Sequence, residues 1–142
     1  VFIEGRIVQV GTPREVYATP RTMAVAAFIG TPPMNLMPAT WSGDGVTVAG
    51  ERLTLGRVAE SPREVMLGVR PGDLRLAPTG LAARVERIED LGDSSIVSLT
   101  AGALALKMKG DGLPAVREGD AVRVGFAPAA AHLFDPDGGA RL

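Results

Sequence analysis

The sequence predicts a mainly β protein: a small, nearly closed barrel preceded by a hairpin and two short helices. Two observations carry this. Gly occurs 18 times and Pro 11 times in 142 residues, a density that favours short elements joined by turns over long helices. From residue 34 onward, about eight short apolar-rich runs follow one another between turn signals, a spacing typical of β-barrels and sandwiches. Apolar residues make up 46% of the chain, enough for one real core at this length.

The elements follow in order. Residues 1–10 read as a hairpin turning at Glu4-Gly5. Thr12-Pro13-Arg14-Glu15 is a helix start, with Thr12 as N-cap, Pro13 in the first turn and Glu15 closing a capping box. Pro20 ends that helix. A second helix over 23–29 is expected to use Thr19 as its cap and Gly30 at its C-terminal end. Thr31-Pro32-Pro33 then forms a stiff connector. Strands are expected over 36–41, 46–48, 52–55, 64–70, 81–91, 96–100, 103–108, 121–126 and 132–135, with a turn at Pro71-Gly72-Asp73 and a bulge near Ile88, where the alternation changes phase. A barrel hides sheet edges, so the expected architecture is OB-like with an additional β-layer.

Composition excludes several chemistries. There is no cysteine, hence no disulfide, thiolate metal site or Cys nucleophile. A net charge of −1 offers no electrostatic footprint for nucleic acid. The six aromatic residues do not pair at i, i+2 on one strand, as a base-stacking platform would require. No Gly-x-x-x-x-Gly-Lys-Ser/Thr loop is present to cradle phosphates. The longest wholly apolar run, residues 23–29, is far too short to span a membrane. The sequence opens Val-Phe-Ile-Glu-Gly, without a charged leader.

Single residues leave alternatives open. His132, the one histidine, reads as a capping or core-edge residue rather than a metal or catalytic one, since a structural metal site needs partners. Arg70-Pro71 reads either as a partner-binding arginine or as a strand-end arginine held by Asp73 or a carbonyl. Asp90-Leu91-Gly92-Asp93 lacks the further oxygen ligands of a calcium loop and reads as a turn. Asp93-Ser94-Ser95 is a weak candidate for oxyanion binding through amides and hydroxyls.

An ordered set of segments runs Gly5 to Pro13, Glu15-Val16-Tyr17 with Pro20, Phe28 to Asn35, Leu67-Gly68-Val69-Arg70-Pro71 with Asp73-Leu74, Leu91-Gly92, and His132-Leu133-Phe134-Asp135 with Gly139 and Arg141. Taken together it resembles the C-terminal regulatory domain (TOBE/MOP-like, OB-type) of the ATP-binding subunit of maltose and glycerol-3-phosphate ABC importers. Ala24 and Ala27 stand where the family usually has Phe and Gly, and Gly72 where it usually has Glu. The resemblance implies three parts: residues 1–18 as the end of the ATPase domain, 19–33 as connecting helix and connector, and 34–142 as the regulatory barrel. It implies a non-catalytic regulatory and dimerisation module with no cofactor of its own, ATP and Mg belonging to a domain before Val1. It also implies a homodimer, permease subunits and cytoplasmic regulators as partners, no nucleic acid, and a peripheral place on the cytoplasmic face of a bacterial inner membrane. Pro33, Met34, Asn35, Arg70, Pro71, His132 and Phe134 are the candidate contact residues. A small-oxyanion sensor is the alternative, as in molybdate-binding relatives of the barrel, and an OB-type nucleic-acid binder the least favoured.

Overall fold

The computed structural model describes all 142 residues. The chain opens with a hairpin, β1 (Phe2–Ile3) and β2 (Arg6–Ile7). Its turn residues Glu4 and Gly5 both adopt positive φ, 51° and 75°, the geometry that matches strand twist. Two helices follow, α1 (Pro13–Ala18) and α2 (Met23–Phe28). The capping box is formed as the sequence predicts: Glu15 N donates to Thr12 Oγ1 at 3.1 Å and Thr12 N to Glu15 Oε2 at 3.2 Å. The cap of α2 is a correction. Thr22, not Thr19, accepts from Val25 N, because Thr19 already closes α1 by donating its N–H to Glu15 O. Neither helix is long and apolar enough to cross a membrane.

Nine strands form two antiparallel sheets. In the five-stranded sheet the order is β11 (His132–Phe134), β6 (Arg63–Val69), β3 (Asn35–Ser42), β4 (Gly45–Val48), β5 (Glu51–Thr54). In the four-stranded sheet it is β10 (Ala121–Gly125), β7 (Arg75–Asp90), β8 (Ser94–Ala101), β9 (Leu104–Asp111). Both sheets contribute to one core of 20 buried residues, among them Met37, Val65 and Leu67 from one and Leu81, Leu99 and Leu106 from the other. Each such side chain stabilises the fold by about 2 kcal/mol relative to exposure. The protein is thus mainly β with an OB-type core and added β-layer, as the strand pattern predicts.

Two strand details differ from expectation. β7 begins at Arg75 rather than 81, because Arg75 and Leu76 pair with Gly125 and Val124. Its alternation is masked there by Pro78 and Gly80, around a register shift opposite Arg123 and Val124. The second bulge falls between Val85 and Arg87 instead of near Ile88. Glu86 is the extra residue, and its carboxylate accepts from Thr100 Oγ1 at 3.0 Å.

The segment before β3 is held to the barrel by residues 139–142. Met23 N donates to Gly139 O, Arg141 N to Arg21 O, and Leu142 N to Leu133 O, all within 3.0 Å. Outward from this junction the hairpin is apolar and open: Phe2, Ile7 and Val10 are each more than 60% exposed.

Candidate functional site

The most constrained polar group in the molecule is Arg70, 2% exposed at the end of β6. Pro71, buried behind it, opens a short 3-10 turn over Pro71–Asp73, which fixes the direction in which the arginine leaves the sheet. Its guanidinium reaches into the helical segment. Nη1 donates to Ala26 O at 2.9 Å and Ile29 O at 2.6 Å, and Nη2 donates to Tyr17 O at 3.0 Å. Its central carbon lies 4.2 Å from the centre of the Tyr17 ring, a cation–π contact. One arginine therefore closes the C-terminal ends of both helices, where unpaired carbonyls carry negative partial charge. No carboxylate pairs with it, and its Nε is buried without a partner. Burial holds its pKa below the ordinary arginine value, opposed by Tyr17 and Asp73. Of the two readings the sequence left open, the strand-end arginine held by carbonyls is the one observed.

His132 opens β11 beside this group. Arg141 Nη1 lies 2.9 Å from its Nδ1; since arginine only donates, Nδ1 accepts and the proton sits on Nε2. The ring stacks on Phe134, two residues along the strand, with an interplanar angle of 11°. Burial first, then Arg141, Arg70 and Arg57, push its pKa from 6.5 down to about 4. It is a neutral core-edge imidazole with an arginine as its hydrogen-bonded neighbour, an arrangement without a nucleophile to activate. No three His, Asp or Glu side chains converge as metal ligands.

Six of the seven candidate contact residues are interior. Met34 and Phe134 pack with Ala26 in a small cluster that joins α2 to the sheet. Gly68 makes room for it, since a Cβ there would overlap the Met34 sulfur. Asn35, 6% exposed, points elsewhere: its Nδ2 donates to Lys107 O and its Oδ1 accepts from Lys107 N, both at 2.8 Å. That single amide acts as a one-residue strand on the edge of β9 and links the two sheets. Arg70, Pro71 and His132 complete the interior six, and Pro33 alone is exposed. The structure thus brings Met34, Arg70, His132 and Phe134 together at the junction and separates Asn35 from them.

The sequence reading missed two members of the junction. Gln9, 7% exposed, donates to Thr19 O and accepts from Arg21 N, tying the hairpin to the helix linker. Arg57 donates to Ala131 O at 2.6 Å. Neither partner is near in sequence, and no local pattern marks them. Asp90–Asp93 is a turn, with Gly92 N donating to Asp90 Oδ1 and Gly92 at φ 95°. Of the six aromatics, only Phe134 is fully buried, while Phe2, Tyr17 and Phe28 are exposed on the N-terminal segment.

Two family descriptions match in succession: a MalK OB fold domain over residues 30–74 and a TOBE domain over residues 67–134. The chain is 41% identical to an sn-glycerol-3-phosphate import ATP-binding protein, UgpC, of Cereibacter sphaeroides, covering 94% of the chain and 39% of that relative. It is 36% identical to an uncharacterized ABC transporter ATP-binding protein of Sinorhizobium fredii, covering 100% of the chain and 40% of the relative. A UgpC of Jannaschia sp. is also 36% identical, covering 100% of the chain and 41% of the relative. The chain spans about two fifths of the length of these curated relatives.

Proposed function

The chain belongs to the family of TOBE and MalK-type OB-fold domains of ABC-importer ATP-binding proteins, and from that premise we propose that it is the regulatory and self-associating part of a subunit that energises import of a sugar or glycerol phosphate. The observation that carries the reading is the order of the two domain matches across residues 30–134, together with identity that extends over 94% of the chain to a glycerol-phosphate import protein. ATP and Mg would be handled by a part of the subunit outside this chain, and permease subunits would be met through that part, on the cytoplasmic face of the membrane.

Residues 1–18 would be the last piece of the ATP-binding domain, 19–33 the connection and 34–142 the regulatory barrel. The Arg70 contacts to Tyr17, Ala26 and Ile29 would make barrel and connection move as one body, so that association between two barrels is transmitted to the ATP-binding parts. In the interface, Pro33 would supply direct contact, and the buried Met34, Asn35, Arg70, Pro71, His132 and Phe134 would fix the surface around it. The exposed apolar hairpin, with Phe2, Ile7 and Val10, would be covered by the ATP-binding domain in the whole subunit and by a second copy in the isolated chain.

Equilibrium sedimentation tests the self-association: the chain is expected to fit a monomer–dimer equilibrium, and a single monomer species at every concentration would overturn it. Incubation with ATP and Mg is expected to release no phosphate above background, and turnover by the chain alone would contradict the non-catalytic assignment.

A further inference from the structure

We propose that the open end of the four-stranded sheet binds a small organic anion, a phosphate or carboxylate carried on a short apolar skeleton. A cleft of about 310 Å³ opens there between the Pro71–Asp73 turn, the start of β7 and the far end of β9. Barrel mouths are recurrent ligand sites. The floor is apolar, made by the buried Leu74, Val97 and Met108.

Three observations give the cleft its chemistry. First, Arg75 and Lys109 line it, and neither belongs to any of the ion pairs of the chain. Asp111 is the one carboxylate on the lining, so the lining carries two basic residues against one acidic one, and a singly headed ligand fits better than a polyanion. Second, Ser95 is only 2% exposed and lines the same cleft, so it brings a hydroxyl to the wall. Third, β9 offers backbone groups. The amide of Asn35 takes up the N–H and C=O of Lys107 on the edge away from β8. Antiparallel pairing alternates, so the next pair of groups on that edge belongs to Lys109, at the cleft. The space is not already claimed: a Cβ built on Gly72 or Gly110 would meet nothing within 4 Å. The head of the ligand would sit between Arg75, Lys109 and the Ser95 hydroxyl, with its carbon skeleton on the floor.

The site requires no second copy, so it stands or falls apart from the self-association reading. An amide NMR titration of the 142-residue chain with n-butyl phosphate and, separately, pentanoate tests it, with inorganic phosphate and butanol as controls. Saturable shifts at Leu74, Arg75, Val97, Lys109 and Gly110 are expected from at least one of the two anions, and which one responds identifies the head group. The Arg75→Gln/Lys109→Gln double variant should weaken binding by at least about tenfold, the scale of losing even one of its two charge-assisted hydrogen bonds. Gly110→Leu should abolish it by filling the cleft. Should Gly110→Leu not fold, the double variant carries the test, since it alters two side chains outside the core. Absence of saturable shifts from both anions would overturn the proposal. So would shifts that survive these variants, or inorganic phosphate binding as tightly as its butyl ester.

Discussion

Arg70 concentrates more of the structure than any other side chain. Its three carbonyl contacts come from two helices, and a lysine could supply neither the fork geometry nor the stack on Tyr17. Arg70→Met leaves those carbonyls without a donor, and we expect a loss of about 2–4 kcal/mol, read as a lower midpoint in urea; Arg70→Lys should recover only part of it. A midpoint unchanged in Arg70→Met would remove the clamp from the account. His132 makes stability depend on pH. Its pKa is lowered from 6.5 to about 4 by burial and by Arg141, Arg70 and Arg57. The unfolded chain therefore takes up a proton below 6.5 that the folded chain refuses until about 4. The stability contributed is complete above pH 6.5 and drains as the pH falls toward 4, by about 2–3 kcal/mol. Denaturant titrations at several pH values check the sign, and His132→Phe should flatten the profile over that window. An equally steep profile in the variant would assign the effect to other groups.

Among the elements, the helices are the most dependent on their ends. Each has only six residues, too few to persist without caps and tertiary contacts. Thr12→Ala removes the capping box of α1 and should cost about 1 kcal/mol, visible as faster hydrogen exchange at Val16 and Thr19, with the barrel strands unaffected. Gly68→Ala in β6 pushes a methyl group toward the Met34 sulfur, and overpacking of this kind costs about 1–3 kcal/mol. A neutral Gly68→Ala would mean that Met34 has room to move aside. The caps and turns were the most legible features of the sequence, because Thr12, Glu15, Glu4-Gly5 and Gly92 act over a few residues. Strand positions were legible where one face alternates, as in β8, whose buried residues recur at every second position from Ser95 to Ala101. They were not legible over 75–80, where Leu76 is placed by its partner Val124 rather than by its own neighbours. The cap of α2 was misread for a related reason: Thr19 and Thr22 are both competent, and the choice was made by the end of α1.

At the scale of the whole molecule, the barrel and the segment before it form one packed unit joined by Arg70, by the cluster of Met34 and Phe134 with Ala26, and by residues 139–142. The resemblance of the sequence pointed to most of these residues but not to how they meet. His132 and Arg141 are both named in the matched pattern, while their contact, and that of Arg70 with helices more than forty positions earlier, is a product of topology. Burial adds what the sequence could not show, since six of the seven residues picked as contacts for a partner pack mainly against this chain. The proposal that two such units associate across a two-fold axis makes a demand on the entire assembly, because an isologous dimer places every residue twice at one fixed separation. The absence of cysteine allows a single spin label at the exposed position Glu118→Cys. Pulsed dipolar spectroscopy of that variant measures the separation directly. One narrow distance, retained on dilution down to the sedimentation midpoint, is the result the account predicts; a signal with no dipolar modulation at concentrations well above that range would contradict it.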